Sequence, residues 1–245
     1  MTRCRQTVVL LIAGLAQAGL ANAAGLQVSP VTLSLTPSQN ADGLWLSNTG
    51  DSVVHAQVRV YHWGQEGDEE KLTASRGLVI SPPMLQLASG DKQLIRVIRV
   101  GAPPNGAGAI EDSYRVVVDE LPIESKSQKG LQFVLHYSIP VFIEPVAATT
   151  APQLRWSLQR NGDHAIVEIV NGGTGHAQIS NMAFVDANGH RTELAAGLVG
   201  YVLPRATVHW TLKPPVSTFS NGGNLEVSIN GTKATQPVSL ADRAH

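Results

Sequence analysis

Eight histidines, at positions 55, 62, 136, 164, 176, 190, 209 and 245, are the side chains best suited to proton transfer or metal ligation near neutral pH. No two of them form an HxH or HxxxH pair, so no metal site is written into the local sequence. GxSxG, HExxH, phosphate-loop and GxGxxG motifs are absent, and nothing singles out a serine–histidine–aspartate triad. The one cysteine, Cys4, lies in the first 24 residues, which leaves the remainder without a thiol for disulfides, zinc or nucleophilic attack. No enzyme, cofactor or metal is therefore expected. Non-covalent recognition is the chemistry with a clear sequence pattern. Leu131, Phe133, Leu135, Tyr137, Ile139, Val141 and Ile143 alternate with other residues across Leu131–Pro145. Such alternation marks a strand with one apolar face. At about 3.3 Å per residue it would run about 40–50 Å, roughly two to three times an ordinary strand. A strand that long either crosses between domains or presents part of its apolar face to a partner.

The elements that must position this segment are strands as well. Val28–Leu35, Gly43–Ser47, Val53–Trp63, Gln93–Val100 and Ser113–Leu121 are alternating or β-branched, and turn residues separate them. Glu66–Glu70 reads as a solvated hairpin tip. Further on, Gln153–Gln159, Ala165–Val170, Gln178–Val185, Thr207–Leu212 and Asn224–Ile229 repeat the pattern. Asn-Gly pairs at 161, 171, 188, 221 and 230 punctuate these runs, as type I′ hairpins require. Two consecutive sets of short strands predict an all-β chain of two consecutive immunoglobulin-like β-sandwich domains, with a single barrel or jelly roll as the alternative. The proline-marked stretch Pro145–Pro152 suits a boundary, giving residues 25–146 and 147–245.

Residues 1–24 combine Arg3 and Arg5, an apolar run from Val8 to Leu20, and Ala21-Asn-Ala23, and so predict a cleaved signal peptide and an exported protein. Without Arg3 and Arg5 the formal charge of −1 becomes −3 (−1 − 2). Scattered charge near neutrality argues against a nucleic-acid partner and against electrostatic membrane attachment, and no later segment has the roughly 18 continuous apolar residues that membrane insertion requires.

A set of motifs in fixed order resembles the PapD-like periplasmic chaperones of the chaperone–usher pathway. They are Val28-Ser-Pro30, Leu46-Ser-Asn48-Thr-Gly50, Val58-Arg-Val-Tyr-His-Trp63, Ile80-Ser-Pro-Pro83, Gly90-Asp-Lys-Gln-Leu-Ile-Arg96-Val, Glu111-Asp-Ser-Tyr-Arg-Val116, Glu120-Leu-Pro122 and Ser138-Ile-Pro-Val-Phe142 with Pro145. The Ser-Ile-Pro-Val-Phe form is most similar to the branch that assembles spore-coat-like pili. The resemblance implies a periplasmic protein that binds pilus subunits, lends them a strand that completes their fold, and delivers them to an outer-membrane usher. It places the lent strand at Leu131, Phe133, Leu135 and Tyr137, with Val141–Ile143 as core. The alternative is that all of these side chains fill their own sandwich.

Well-known relatives hold the subunit's terminal carboxylate with an arginine and a lysine from the first and lent strands. Here Val28–Leu35 and Leu131–Pro145 contain neither. The cation must then come from elsewhere. Arg115 is the first expectation because it interrupts an apolar strand, and Arg96 is the second. The resemblance also implies a structural ion pair between Arg96 and Glu111. Two rival readings are a fibre subunit or adhesin, and an exported enzyme or carbohydrate-binding sandwich using Trp45, Trp63, Trp156 or Trp210.

Overall fold

The computed structural model describes residues 25–122, 134–146 and 151–241. The first half contains β1 (Leu26–Ser29), β2 (Leu33–Leu35), β3 (Ala41–Asn48), β4 (Val54–Glu66), β5 (Glu69–Ala74), β6 (Leu78–Ser81), β7 (Met84–Leu87), β8 (Lys92–Arg99), β9 (Asp112–Leu121) and β10 (His136–Ile143). One sheet has the order β1-β3-β8-β6; the facing sheet has the order β2-β10-β9-β4-β5, with β7 also on β4. Alternate residues of the two sheets meet in one core that includes Leu44, Leu46, Ile95 and Val97 on one side and Val58, Val116, Val118 and Val141 on the other. Period-two patterning puts these residues on a single face of each strand.

The second half contains β11 (Leu154–Asn161), β12 (His164–Asn171), β13 (Ala177–Asp186), β14 (Arg191–Val202), β15 (Thr207–Pro215), β16 (Gly223–Ile229), β17 (Thr232–Val238) and β18 (Leu240–Ala241). Its sheets have the orders β15-β12-β11-β18 and β14-β13-β16-β17, around Val167, Ile169, Ile179, Phe184 and Leu225. The fold is therefore two sandwiches, as the strand grammar predicts.

The expected strand Val28–Leu35 is two strands. β1 pairs antiparallel with β3 in the first sheet, and β2 runs parallel to β10 in the second. Pro30 stands at the crossing, where a residue without an amide donor cannot continue a ladder. The sandwiches also share apolar surface. Trp63 from β4 and Phe142 from β10 belong to the second core. The Phe142 ring lies 3.6 Å from that of His176 at an interplanar angle of 5°.

One device closes both sandwiches. In the first, buried Asn48 donates its amide to the carbonyls of Ser52 (2.7 Å) and Leu87 (3.0 Å) and accepts from Gly50 N (3.0 Å). In the second, fully buried Asn171 donates to Gly175 O (2.8 Å) and Val202 O (3.0 Å) and accepts from Gly173 N (2.9 Å) and Gln153 N (3.1 Å). Asn171-Gly172 is thus an internal loop clasp and not the hairpin turn its dipeptide suggests. Replacing Asn171 with alanine strands four backbone groups and is expected to lower stability by about 2–4 kcal/mol. Chemical unfolding of the variant checks this, and a change below about 0.5 kcal/mol contradicts it.

Candidate functional site

The neighbours of β10 change along its length. β9 pairs with it from His136 to Ile143, whereas β2 pairs only with Val141–Ile143. Among the described residues no strand flanks His136–Pro140 on that side, because β1 runs in the opposite sheet. The backbone there forms an open edge, a template for another strand. The side chain of Tyr137 spans the gap by donating its hydroxyl to Leu26 O at 2.6 Å. Burial, with Glu120 nearby, raises its pKa and keeps that donor protonated.

Side chains of β10 alternate as the sequence predicts. Ile139, Val141 and Ile143 are buried in the first core, and Leu135 and Tyr137 are half-buried at its margin. Leu131 and Phe133 lie outside the described residues. The 1–24 segment lies outside them too.

Arg115 is in β9, in register with Pro140 of β10 and Tyr61 of β4. Val116 and Val118 point into the core, so Arg115 projects from the other face toward the second sandwich. Its guanidinium carbon lies 3.6 Å from the Trp63 ring centroid and 5.3 Å from that of Tyr201. A guanidinium stacked on indole gains both dispersion and cation–π attraction. Its NH2 nitrogen donates to Glu70 at 3.0 Å, and NH1 reaches Ser138 O, on the open edge, at 3.5 Å. Its Nε is buried with no partner among the described residues. Arg115 therefore has donors to spare beside the unpaired edge.

Arg96 is elsewhere. Ile95 and Val97 are core, so Arg96 between them points outward, exposed, from the first sheet, away from the cleft. The expected ion pair between Arg96 and Glu111 is not formed. Glu111 is buried at the junction, where its carboxylate accepts from His176 Nδ1 (2.7 Å) and His176 N (3.2 Å). Its own N–H donates to Thr174 O at 2.9 Å. Glu111 does tie the sandwiches together, but through histidine and backbone. Arg96 is in β8 of one sheet and Glu111 immediately precedes β9 of the other, which their distance in sequence does not reveal.

Sequence reasoning overlooked Arg59. In β4 it shares a face with Tyr61, Trp63 and Gln65, and it pairs with Asp119 of β9, which also meets His136 Nδ1 at 2.6 Å. Burial works against the charge of Asp119, but the hydrogen bonds from Arg59 and His136 outweigh it and hold the carboxyl below its usual range. Period-two spacing from Trp63 was the available signal.

The β4–β5 hairpin also reaches the second sandwich. Gln65 donates to Tyr201 O and accepts from Leu203 N, both at 2.8 Å. Asp68, at the turn, accepts from the backbone N–H of His209 (3.1 Å) and lies 2.7 Å from its Nδ1; Glu168 lies 2.9 Å from its Nε2. The Glu66–Glu70 tip is thus anchored rather than merely solvated. Burial disfavours the His209 charge, but Asp68 and Glu168 together raise its pKa above the ordinary 6.5. A histidine whose folded pKa is raised stabilises the fold fully below 6.5 and loses that contribution as pH rises through the folded value. The stability difference between wild type and His209→Gln is therefore expected to shrink from about pH 6 to about pH 9. Thermal unfolding across that range measures it, and a constant difference contradicts it.

Comparison with known proteins assigns the chain to a family. The profile of pili and flagellar-assembly chaperones, PapD N-terminal domain, matches residues 25–149. No curated protein matches by sequence. Among solved structures, the Acinetobacter baumannii CsuC–CsuE chaperone–tip adhesion subunit pre-assembly complex from archaic chaperone–usher Csu pili is 23% identical. That match covers 89% of this chain and 100% of the other, with a TM-score of 0.68. The E. coli chaperone DraB is 17% identical over 89% and 97% of the two chains (TM-score 0.58). A structure of the Salmonella enterica SafA pilin in complex with the SafB chaperone matches at 15% identity over 88% and 95% (TM-score 0.59). At these identities the structural likeness speaks for the fold.

Proposed function

The chain belongs to the pili and flagellar-assembly chaperones of the PapD type, periplasmic proteins that catalyse no reaction, and from that premise we propose that it captures fibre subunits by strand addition. A subunit that lacks one strand of its own sandwich exposes an apolar groove. The segment Leu131–Tyr137 and the open edge of β10 fill that groove, with main-chain hydrogen bonds along the edge and alternate side chains as pegs. Leu131, Phe133 and Leu135 enter the groove, and Tyr137 exchanges its bond to Leu26 for a contact at its margin. Each buried peg contributes roughly 1.5–3 kcal/mol before the costs of association.

Arg115 receives the subunit's terminal carboxylate. The observation that carries this reading is the juxtaposition of the open His136–Pro140 edge with a guanidinium that still has an unused donor. Guanidinium–carboxylate pairing is two-pronged, and in a cleft shielded by Trp63 and Tyr201 it is stronger than at an open surface. Residues 25–146 form the subunit-binding half and residues 147–245 the second half. The subunit then passes to an outer-membrane usher. The lack of lysine in Leu131–Pro145 and the Ser138-Ile-Pro-Val-Phe142 form support the spore-coat-like, archaic branch.

Two measurements test this. Phe133→Asp and Leu135→Asp are each expected to abolish co-purification of a stoichiometric complex with a small β-domain subunit from the periplasm, while the chaperone itself stays folded by circular dichroism. Normal complex yields from both variants exclude the strand assignment. Arg115→Ala is expected to weaken capture by at least about tenfold, as befits a lost charge-assisted pair in a shielded site. Unchanged capture removes Arg115 as the anchor.

A further inference from the structure

We propose that Glu70 is a built-in competitor for the carboxylate site, a latch that occupies Arg115 while the cleft is empty and that an incoming terminal carboxylate must displace. The inference rests on the reading of Arg115 as the anchor and adds a control that the anchor alone does not imply.

Three observations carry it. The Arg115 side chain is 9% exposed, whereas that of its partner Glu70 is 51% exposed. A nearly buried cation needs a compensating negative charge, because its own hydration is lost. Glu70 supplies one from the solvent side and can return to water at little cost. Second, Glu70 takes a single donor of the guanidinium, through NH2, and leaves Nε unpartnered. A carboxylate held by a docked strand can engage two donors in parallel, so exchange replaces a single contact by a forked one. Third, the hairpin that carries Glu70 is anchored to the second sandwich, although β5 itself pairs only with β4 among the described residues. Glu70 is in register with Gln65, whose side chain binds the backbone at Tyr201 and Leu203, and the neighbouring turn is fixed by Asp68 to His209. Every residue of β5 is exposed, so its pairing with β4 and the anchored turn, rather than burial of its side chains, hold Glu70 beside Arg115.

The consequence is selectivity. Displacing Glu70 is favourable only for a ligand that brings its own negative charge to Arg115. A neutral chain end leaves the latch closed and gains nothing from the arginine. Competition of this kind lowers the apparent affinity by the fraction of cleft already occupied.

The probes are an acetylated nine-residue peptide of alternating valine and threonine with a free terminal carboxylate, and the same peptide with a terminal amide. Binding to the full chain is followed by tryptophan fluorescence, since Trp63 lies beneath Arg115. Glu70→Gln keeps the shape of the side chain and removes its charge, and Glu70→Ala serves as a second variant. The latch predicts that both variants bind the carboxylate peptide about fivefold tighter than wild type while the amide peptide is unaffected. A merely structural Glu70 would lower the unfolding temperature without changing the carboxylate-to-amide ratio. A wild-type preference for carboxylate that is unchanged in the variants overturns the latch and leaves the anchor standing. Equal binding of both peptides by wild type and by both variants overturns the anchor, and the latch with it.

Discussion

A guanidinium stays charged at any pH the protein meets, so a fold that buries one must provide for it permanently. Arg115 is placed where the two sandwiches meet, on the face of its sheet that the first core does not use. Trp63 and Tyr201 shield it and Glu70 compensates its charge. That requirement draws in much of the surrounding architecture. The β4–β5 hairpin extends over the cleft, its turn is clamped to the second sandwich, and β9 holds the arginine beside β10.

The second organising feature is an omission in the sheet. The first strand begins in one sheet and continues in the other, so β2 covers only the last three residues of β10. The same crossing that links the two sheets leaves His136–Pro140 uncovered. Proline at 140 withdraws one donor, His136 and Ser138 make the outer face polar, and Tyr137 ties the edge to Leu26. Such devices restrain indiscriminate pairing without closing the edge. The edge and the arginine are adjacent because their strands are neighbours in register, which is a property of the sheet rather than of either strand.

The junction between the sandwiches mixes apolar and polar contacts in a way that fixes the cleft between them. Phe142 stacks on His176, and the same histidine binds Glu111. Gln65 makes two backbone bonds and His209 bridges two carboxylates from different halves. These are directional contacts, so they set the relative placement of the halves and not just their association.

Much of this was legible in the chain itself. Period-two alternation located most core strands, including the division of faces in β10. Asn230-Gly231, both at positive φ, is the hairpin turn that its residue types require, whereas at 161–162 the turn is shifted by one residue, to Gly162-Asp163. Other elements escaped for definable reasons. β5 is exposed throughout and has no apolar period to detect, and β14 is interrupted by alanine and glycine. Arg96 and Arg115 look alike in sequence, since each interrupts an apolar strand. The sequence by itself determined an all-β chain, its likeness to a chaperone family and the absence of basic residues from Val28–Leu35 and Leu131–Pro145. Only the tertiary structure decided that Arg115 faces the junction of the sandwiches and Arg96 does not, that Glu111 binds His176, and that Glu70 pairs with Arg115. Alternation fixes which residues share a face of a strand. What that face meets depends on how sheets pair and pack across long stretches of chain, and no local pattern encodes it.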